Sequence, residues 1–382
     1  MRNVAVFIES STQFGRGLLH GIGRYAQLAN WCLHYEQGGL SRVEPDWLRD
    51  WKGDGVITRA REQKHSPELA RRGVAVLGWP SHDFVANDIP NIDEEAIGTL
   101  AAQYFLDKGF RHFAYIGHGN MEWSMQRERA FQGALKEAGH GPAAVRHTQL
   151  DGSRSDNMIE DDRHFLHALP TPCAVFCVTD QRGVQILGTA RECGRVVPEQ
   201  LSILGVDNDP LLCQLANPAL SSIDTDPEAM GTAVANRLDR LMSGQDPGEA
   251  RKIPPVGVLE RASTASEAVD DPHLVLALAF VRRSAGKRIT VDDVTCASGV
   301  SRRALEYRFR NQLQTTIAAY LRQNTVEGIR KLLVETDFAL PKIAEILGIE
   351  RLQTLHELFH RVEGCSPGKY RRAYSLKKRR SS

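Results

Sequence analysis

The chain has 382 residues, 42% apolar and 25% charged, a globular composition at a length suited to two or three domains. This excludes a wholly disordered chain, a collagen-like rod and a small disulfide scaffold, and no apolar run approaches the ~18 residues of a membrane span. The net charge of +1 hides a split: residues 272–382 carry 21 Lys+Arg against 10 Asp+Glu (net +11), and residues 1–271 carry 27 against 37 (net −10), so one end suits a polyanion and the other does not.

The apolar run after Met1-Arg2-Asn3 is only about five residues, far below a signal sequence, so the expected location is the cytoplasm, with no membrane partner. Short Val- and Ile-rich runs at 4–8, 55–57, 74–77, 112–116, 174–178 and 201–206 predict buried strands. Amphipathic stretches at 94–108, 124–138, 180–192 and 227–242 predict helices between them. Alternation of this kind over 1–260 implies parallel sheets covered by helices. The cysteines, Cys32, Cys173, Cys177, Cys193, Cys213, Cys296 and Cys365, are odd in number and scattered. Cys173 and Cys177 lie in an apolar run and read as buried strand residues, with no second ligand pair for a metal.

Ligands of such folds bind beyond the carboxyl ends of the strands. Six residues follow expected strand ends or nearby loops: Arg16, Asp93, Trp123, Arg127, Asp180 and Asp207. Two Arg, three Asp and a Trp suit a sugar, because charged groups grip neighbouring hydroxyls and an indole covers the C–H face. Singly each has an ordinary reading: Asp180 and Asp207 as helix caps, Arg127 in a surface ion pair, Trp123 in the core, Arg16 as a solvated helix residue. Their common edge makes them a set.

Residues 261–272 are small and polar and predict a linker. Beyond it, 273–376 reads as helices and short turns, followed by a basic tail at 377–382. Thr290 can cap a helix with Asp293 three residues on, Gly299 ends that helix, and Ser301 caps a basic helix over 302–310. This is the helix-turn-helix arrangement. It recurs around Gly348 with a second helix over 351–360. Gly299 and Gly348 lie 49 apart, whereas Leu305 and Phe309 match Leu355 and Phe359 at 50, so the second turn is one residue longer; a helix over 320–333 joins the two. Ser301, Arg302, Arg303, Glu306 and Tyr307 are the candidate DNA contacts of the first reader, and Arg351, Gln353 and His356 those of the second. Either Arg of the first reader can bind guanine in two-pronged fashion or clamp a phosphate.

The last ~100 residues resemble the AraC/XylS-type DNA-binding domain. The resemblance rests on Ile289 to Val294, Gly299-Val300-Ser301, Leu305 to Phe309 and above all Gly-Cys-Ser-Pro-Gly-Lys-Tyr-Arg at 364–371. It implies that both second helices enter the major groove about one turn apart. Glu357, Thr325 and Gly328 depart from the family pattern, which implies a weaker second half-contact. Residues 1–260 resemble the periplasmic-binding-protein-like sensor of LacI/GalR-type repressors, in Gly-Asp-Gly-Val-Ile at 53–57, Ser124 with Arg127, Thr179-Asp180 and the run from Val197 to Asn208. The whole is therefore identified as a two-lobed α/β sensor followed by an all-α domain with two helix-turn-helix units. That order is similar to the xylose-operon activators. It implies a homodimeric activator of pentose catabolic genes that answers to D-xylose or a related sugar, binds double-stranded DNA and meets RNA polymerase. A different sugar, or a lost ligand response, is the alternative.

The rival classes lack their signatures. A catalytic Cys needs a sharp strand-to-helix turn and a His partner, yet Cys177 lies inside a strand. There is no phosphate-binding glycine loop, Gly-x-Ser-x-Gly or paired-His metal motif, so no catalysis, cofactor or metal is expected. A phosphorylated receiver would show paired acids after the first strand, where only Glu9 stands.

Overall fold

The computed structural model describes residues 1–38, 43–60, 63–79, 89–149, 156–266, 268–269, 271–284 and 289–378. It divides into two compact units, Met1–Ala268 and Val269–Ser382.

The first unit has two lobes. The chain opens with β1 (Arg2–Ile8), α1 (Gln13–Leu28), β2 (Trp31–Gln37), β3 (Gly55–Thr58), α2 (Ser66–Arg71) and β4 (Ala75–Gly78). Both faces of β1 are buried, Val4, Val6 and Ile8 on one and Ala5 and Phe7 on the other, as a strand covered on two sides requires. The four strands form a parallel sheet in the order β2-β1-β3-β4.

After β5 (Asn91–Ile92) come α3 (Glu94–Asp107), β6 (Phe113–His118), α4 (Glu122–Glu137), β7 (Ala144–Thr148), α5 (Asp156–Ala168), β8 (Cys173–Cys177), α6 (Asp180–Glu192), β9 (Leu201–Val206), α7 (Pro210–Leu215) and β10 (Ser221–Asp224). The chain then returns to the first lobe through α8 (Pro227–Met242). It goes back through β11 (Lys252–Ile253), which pairs with β5, to β12 (Gly257–Leu259). The second sheet has the order β12-β10-β9-β8-β6-β7, parallel except for β12.

α8 packs on α1 through glycines: a Cβ at Gly21 would collide with the Glu228 carbonyl, and one at Gly231 with that of Leu18. Cys173 and Cys177 are buried in β8, and burial pushes both thiols up to about 12.

The segment expected as a linker, 261–272, is largely built into this unit. Ser263 Oγ donates to the Ile203 carbonyl at 2.6 Å and Arg261 Nη1 to that of Leu220 at 2.9 Å; Ser263 and Thr264 are buried. Small polar residues here plug the edge of β9 and β10, so their composition imitates a linker.

The second unit is helical: α9 (Pro272–Arg283), α10 (Val291–Ser298), α11 (Arg302–Leu313), α12 (Ile317–Glu335), α13 (Leu340–Ile346), α14 (Leu352–Glu363) and α15 (Pro367–Lys378). Of the expected basic tail, Lys377 and Lys378 end α15, and residues 379–382 lie outside the described residues. Leu305 and Phe309 pack with Val294, Leu274, Leu278 and Ile317; Leu355 and Phe359 pack with Ile343, Val326, Ile329 and Leu333. α12 thus contributes to both cores.

Candidate functional site

Strand order reverses between β1 and β3 in the first sheet and between β6 and β8 in the second. Open α/β sheets bind ligands in the crevice beyond such points. Glu9 follows β1 and Arg59 follows β3, and their side chains form a largely buried ion pair. The Arg59 guanidinium lies 4.7 Å from the Phe14 ring centre and 5.8 Å from that of Trp79. Among the described residues, Glu9 Oε2, Arg59 Nε and Trp79 Nε1 are buried without a hydrogen-bond partner. Native proteins leave few such atoms unless a ligand or water meets them.

The facing wall comes from the second lobe. α4 places Trp123 and Arg127 one turn apart on one side of the helix, and the guanidinium sits 5.0 Å from the indole centre. Arg127 Nε donates to Glu94 Oε2 at 2.6 Å, and Nη1 donates to the Val178 carbonyl, just past β8, at 2.5 Å. Both members of the Glu94–Arg127 pair are buried. Burial pushes the Glu94 carboxyl up, and the Arg127 guanidinium works against it.

Asp207 closes β9. Its φ is +100° and that of Asn208 is +49°, two consecutive departures that Asp and Asn tolerate better than most residues but that still cost energy. The turn is held by the Asp207 N–H on the Ile223 carbonyl at 2.9 Å and the Asn208 N–H on Ser222 Oγ at 2.9 Å. Solvent still reaches the side chain, yet the surrounding protein pushes its carboxyl up to about 8 against the pull of Arg127. Arg59 of the first lobe acts on both Asp207 and Glu94, so the two walls face each other.

The sequence candidates thus separate by position. Trp123, Arg127 and Asp207 come together. Asp180 lies beneath them: Oδ1 accepts from Ser222 Oγ at 2.5 Å, and Oδ2 accepts from the Asp209 N–H at 2.7 Å and from Cys213 Sγ at 3.4 Å. It is buried, which pushes it up to about 7. A Cβ at Gly205 would collide with it. Asp180 therefore anchors the Asp207 turn from below, and its oxygens are engaged inside the protein. Asp93 caps α3, accepting from the Ala96 N–H at 3.0 Å. Arg16 joins the lobes through Asp209, Nη2 to Oδ2 at 3.2 Å, and its Nη1 donates to the Ser10 and Ser11 carbonyls at 3.1 Å. The sequence reading passed over Glu9, Arg59, Phe14, Trp79 and Glu94 as site residues. Glu9 and Arg59 carry the same signal that singled out Asp180 and Asp207, a charged residue just after a strand.

In the second unit α11 and α14 superpose in sequence at an interval of 50 residues. Thr290 and Asp293 form a reciprocal cap on α10, Gly299 has φ +71°, and Ser301 Oγ accepts from the Ala304 N–H at 3.3 Å; Ser301 is thus occupied in capping. Arg302, Arg303 and Tyr307 are exposed, and Glu306 is half-buried. Arg302 forms an ion pair with Asp292 at 3.3 Å. In the second reader Gly348 has φ +64°, Arg351 occupies the cap position of α14 without a capping hydrogen bond, Gln353 is exposed and His356 half-buried. His356, Glu357, His360, Arg361 and Ser366 line an open hollow of about 430 Å³. Gly328, read from sequence as a departure from the family pattern, is a packing position: a Cβ there would crowd Leu347.

Residues 102–264 match the family described as "Periplasmic binding protein-like domain", and residues 296–373 the family described as "Helix-turn-helix domain". The "Xylose operon regulatory protein" of Escherichia coli (strain K12) is 28% identical over 382 residues, covering 96% of both chains. That of Haemophilus influenzae is 27% identical, covering 96% of this chain and 97% of the other. Among solved structures, the "xylose-binding transcription activator xylR" aligns with a TM-score of 0.81 at 27% identity, covering 98% of both chains. The "transcriptional regulator CelR-cellobiose complex" shares the fold of the first unit, with a TM-score of 0.56 at 21% identity over 68% of this chain.

Proposed function

We propose, from the premise that this chain is a transcription regulator joining a periplasmic-binding-protein-like sensor to an AraC-type helix-turn-helix domain, that it takes D-xylose or a close relative into the cleft of the first unit and reads double-stranded DNA with α11 and α14. The observation that carries this reading is the cluster of Trp123, Arg127, Glu94 and Asp207 facing Arg59 and Glu9, a set of charged groups and one indole at both strand-order reversals. A pentose offers hydroxyls in vicinal pairs. Asp207 and Glu94 accept from them, the two guanidinium groups donate, and Trp123 supplies an apolar wall. No reaction is assigned: the named relatives are regulators.

In this reading the regulator works in the cytoplasm as a homodimeric activator that meets RNA polymerase at its promoter. Sugar holds the two lobes of each sensor together, and it acts on the readers only through contacts it makes better in one arrangement than in the other.

The test combines thermal shift and DNA binding at fixed salt with D-xylose, L-arabinose, D-ribose and D-glucose. A stabilising shift with D-xylose and a change in DNA affinity are the expected result, because a ligand stabilises the state it binds. Asp207→Ala should remove both responses and leave salt-dependent DNA binding in place. A shift with another sugar and none with D-xylose would reassign the effector; no shift with any of them, or equal loss of both functions in Asp207→Ala, would end the cleft reading.

A further inference from the structure

The 50-residue interval equates Arg303 with Gln353 and Tyr307 with Glu357, each pair one turn apart on the exposed side of its helix. Opposite those positions, Leu305 and Phe309 in one helix and Leu355 and Phe359 in the other are buried. The two helices therefore present the same two positions outward with different hydrogen-bonding character. Arg303 has only donors and Tyr307 brings a hydroxyl. Glu357 has only acceptors, and Gln353 Nε2 donates to its Oε1 at 2.9 Å, which turns the Gln353 carbonyl oxygen away from that bond. Among the described residues Glu357 forms no ion pair.

We propose that Glu357, with Gln353 positioned against it, makes the second reader select cytosine, whereas the first reader selects guanine. This rests on the reading of α11 and α14 as the helices that enter the major groove. Cytosine offers a donor there, its N4 amino group, without an adjacent acceptor. Adenine places N7 beside its amino group, and guanine and thymine offer acceptors at the same depth. A carboxylate that enters the groove and meets no donor loses its water for nothing in a field of phosphates. Glu357 thus works as much by rejecting the wrong base as by binding the right one.

The experiment selects binding sequences from a randomised duplex library with the full chain, with and without D-xylose, and repeats the selection with Glu357→Gln, Glu357→Ala and Arg303→Ala. Both positions are exposed, so the fold should persist. The expected wild-type consensus contains a cytosine preferred roughly ten- to hundredfold. That preference disappears in both Glu357 variants, while Arg303→Ala loses a separate guanine. Duplexes carrying each base at the cytosine position then give the ratio directly by anisotropy. An unchanged consensus in the Glu357 variants, with affinity altered uniformly across sequences, would overturn the proposal and leave the DNA reading standing. If wild-type protein selects no sequence, the DNA reading falls and this proposal with it.

Discussion

In the first unit Glu94 with Arg127, and Glu9 with Arg59, form largely buried pairs, and Asp180 beneath them accepts from Ser222 and the Asp209 N–H. In the second unit Arg302, Arg303, Gln353 and Glu357 stand in solvent, and the ion pair of Arg302 with Asp292 is itself exposed. Burying charge costs several kcal/mol per ion unless it is partnered, so a fold keeps such groups where something small will replace water. Exposed charge costs little and acts over a Debye length, which suits a partner as long and as charged as DNA. The two units therefore use similar side chains with different solvation.

The sharpest way to break this comparison is to remove one side chain from each unit. Arg127→Leu leaves Glu94 buried without its partner and should cost about 3–5 kcal/mol, read as lost hydrogen-exchange protection in α3 and α4. Arg303→Ala should change the protection of α11 by less than about 0.5 kcal/mol. Comparable losses would erase the contrast.

Titration sharpens it next. Burial holds Asp207 at about 8 and Asp180 at about 7, whereas an unfolded Asp titrates near about 4. The folded first unit binds more protons in between, so this stabilisation is complete below about pH 4 and drains away as pH rises through 7 and 8. Thermal unfolding of the full chain should show the first unit losing stability between about pH 5 and 8, with Asp207→Asn flattening the decline. In the second unit the fully exposed Asp293 carboxyl is held below its ordinary value by its bonds to Thr290, so little slope is expected from it in that window. A slope unchanged in Asp207→Asn would show that its carboxyl is already ionised.

The smallest effect lies within the second unit. Thr290 caps α10, while the matching Ala339 leaves α13 uncapped. Thr290→Ala should cost about 1 kcal/mol, and Ala339→Thr should add a similar amount, both read from denaturant midpoints. Equal sensitivity of the two positions to Ala would mean that packing, not capping, sets both helix starts.

Much of the fold was legible from residues. β9, α6 and α8 have the predicted bounds, 201–206, 180–192 and 227–242, since Gln200, Thr179-Asp180 and Asp226-Pro227 mark their starts. β2 and β7 were missed because they are edge strands in which apolar residues mix with His, Arg, Glu, Gln and Thr. α1 was missed because Gly15, Gly17, Gly21 and Gly23 imitate a loop, although Gly17 and Gly21 serve close packing against α8. At the candidate site, Arg127 and Asp207, which the rule of charged residues after strands singled out, lie together. That rule could not tell that Asp180 turns inward, since that depends on Ser222, Asp209 and Cys213, distant in sequence. Nor could it pair Glu94 with Arg127, 33 residues away.

α12 has one further consequence. Its 19 residues, about 28 Å of helix at 1.5 Å per residue, run from one reader's core into the other's. If both readers enter the major groove, a rod of that kind fixes the phase between their two half-sites. Adding a single base pair between them turns one half-site by about a tenth of a helical turn relative to the other, and the protein has no joint there to follow it. Spacer length, as much as base identity, would then decide which DNA sites such a pair of readers can bind.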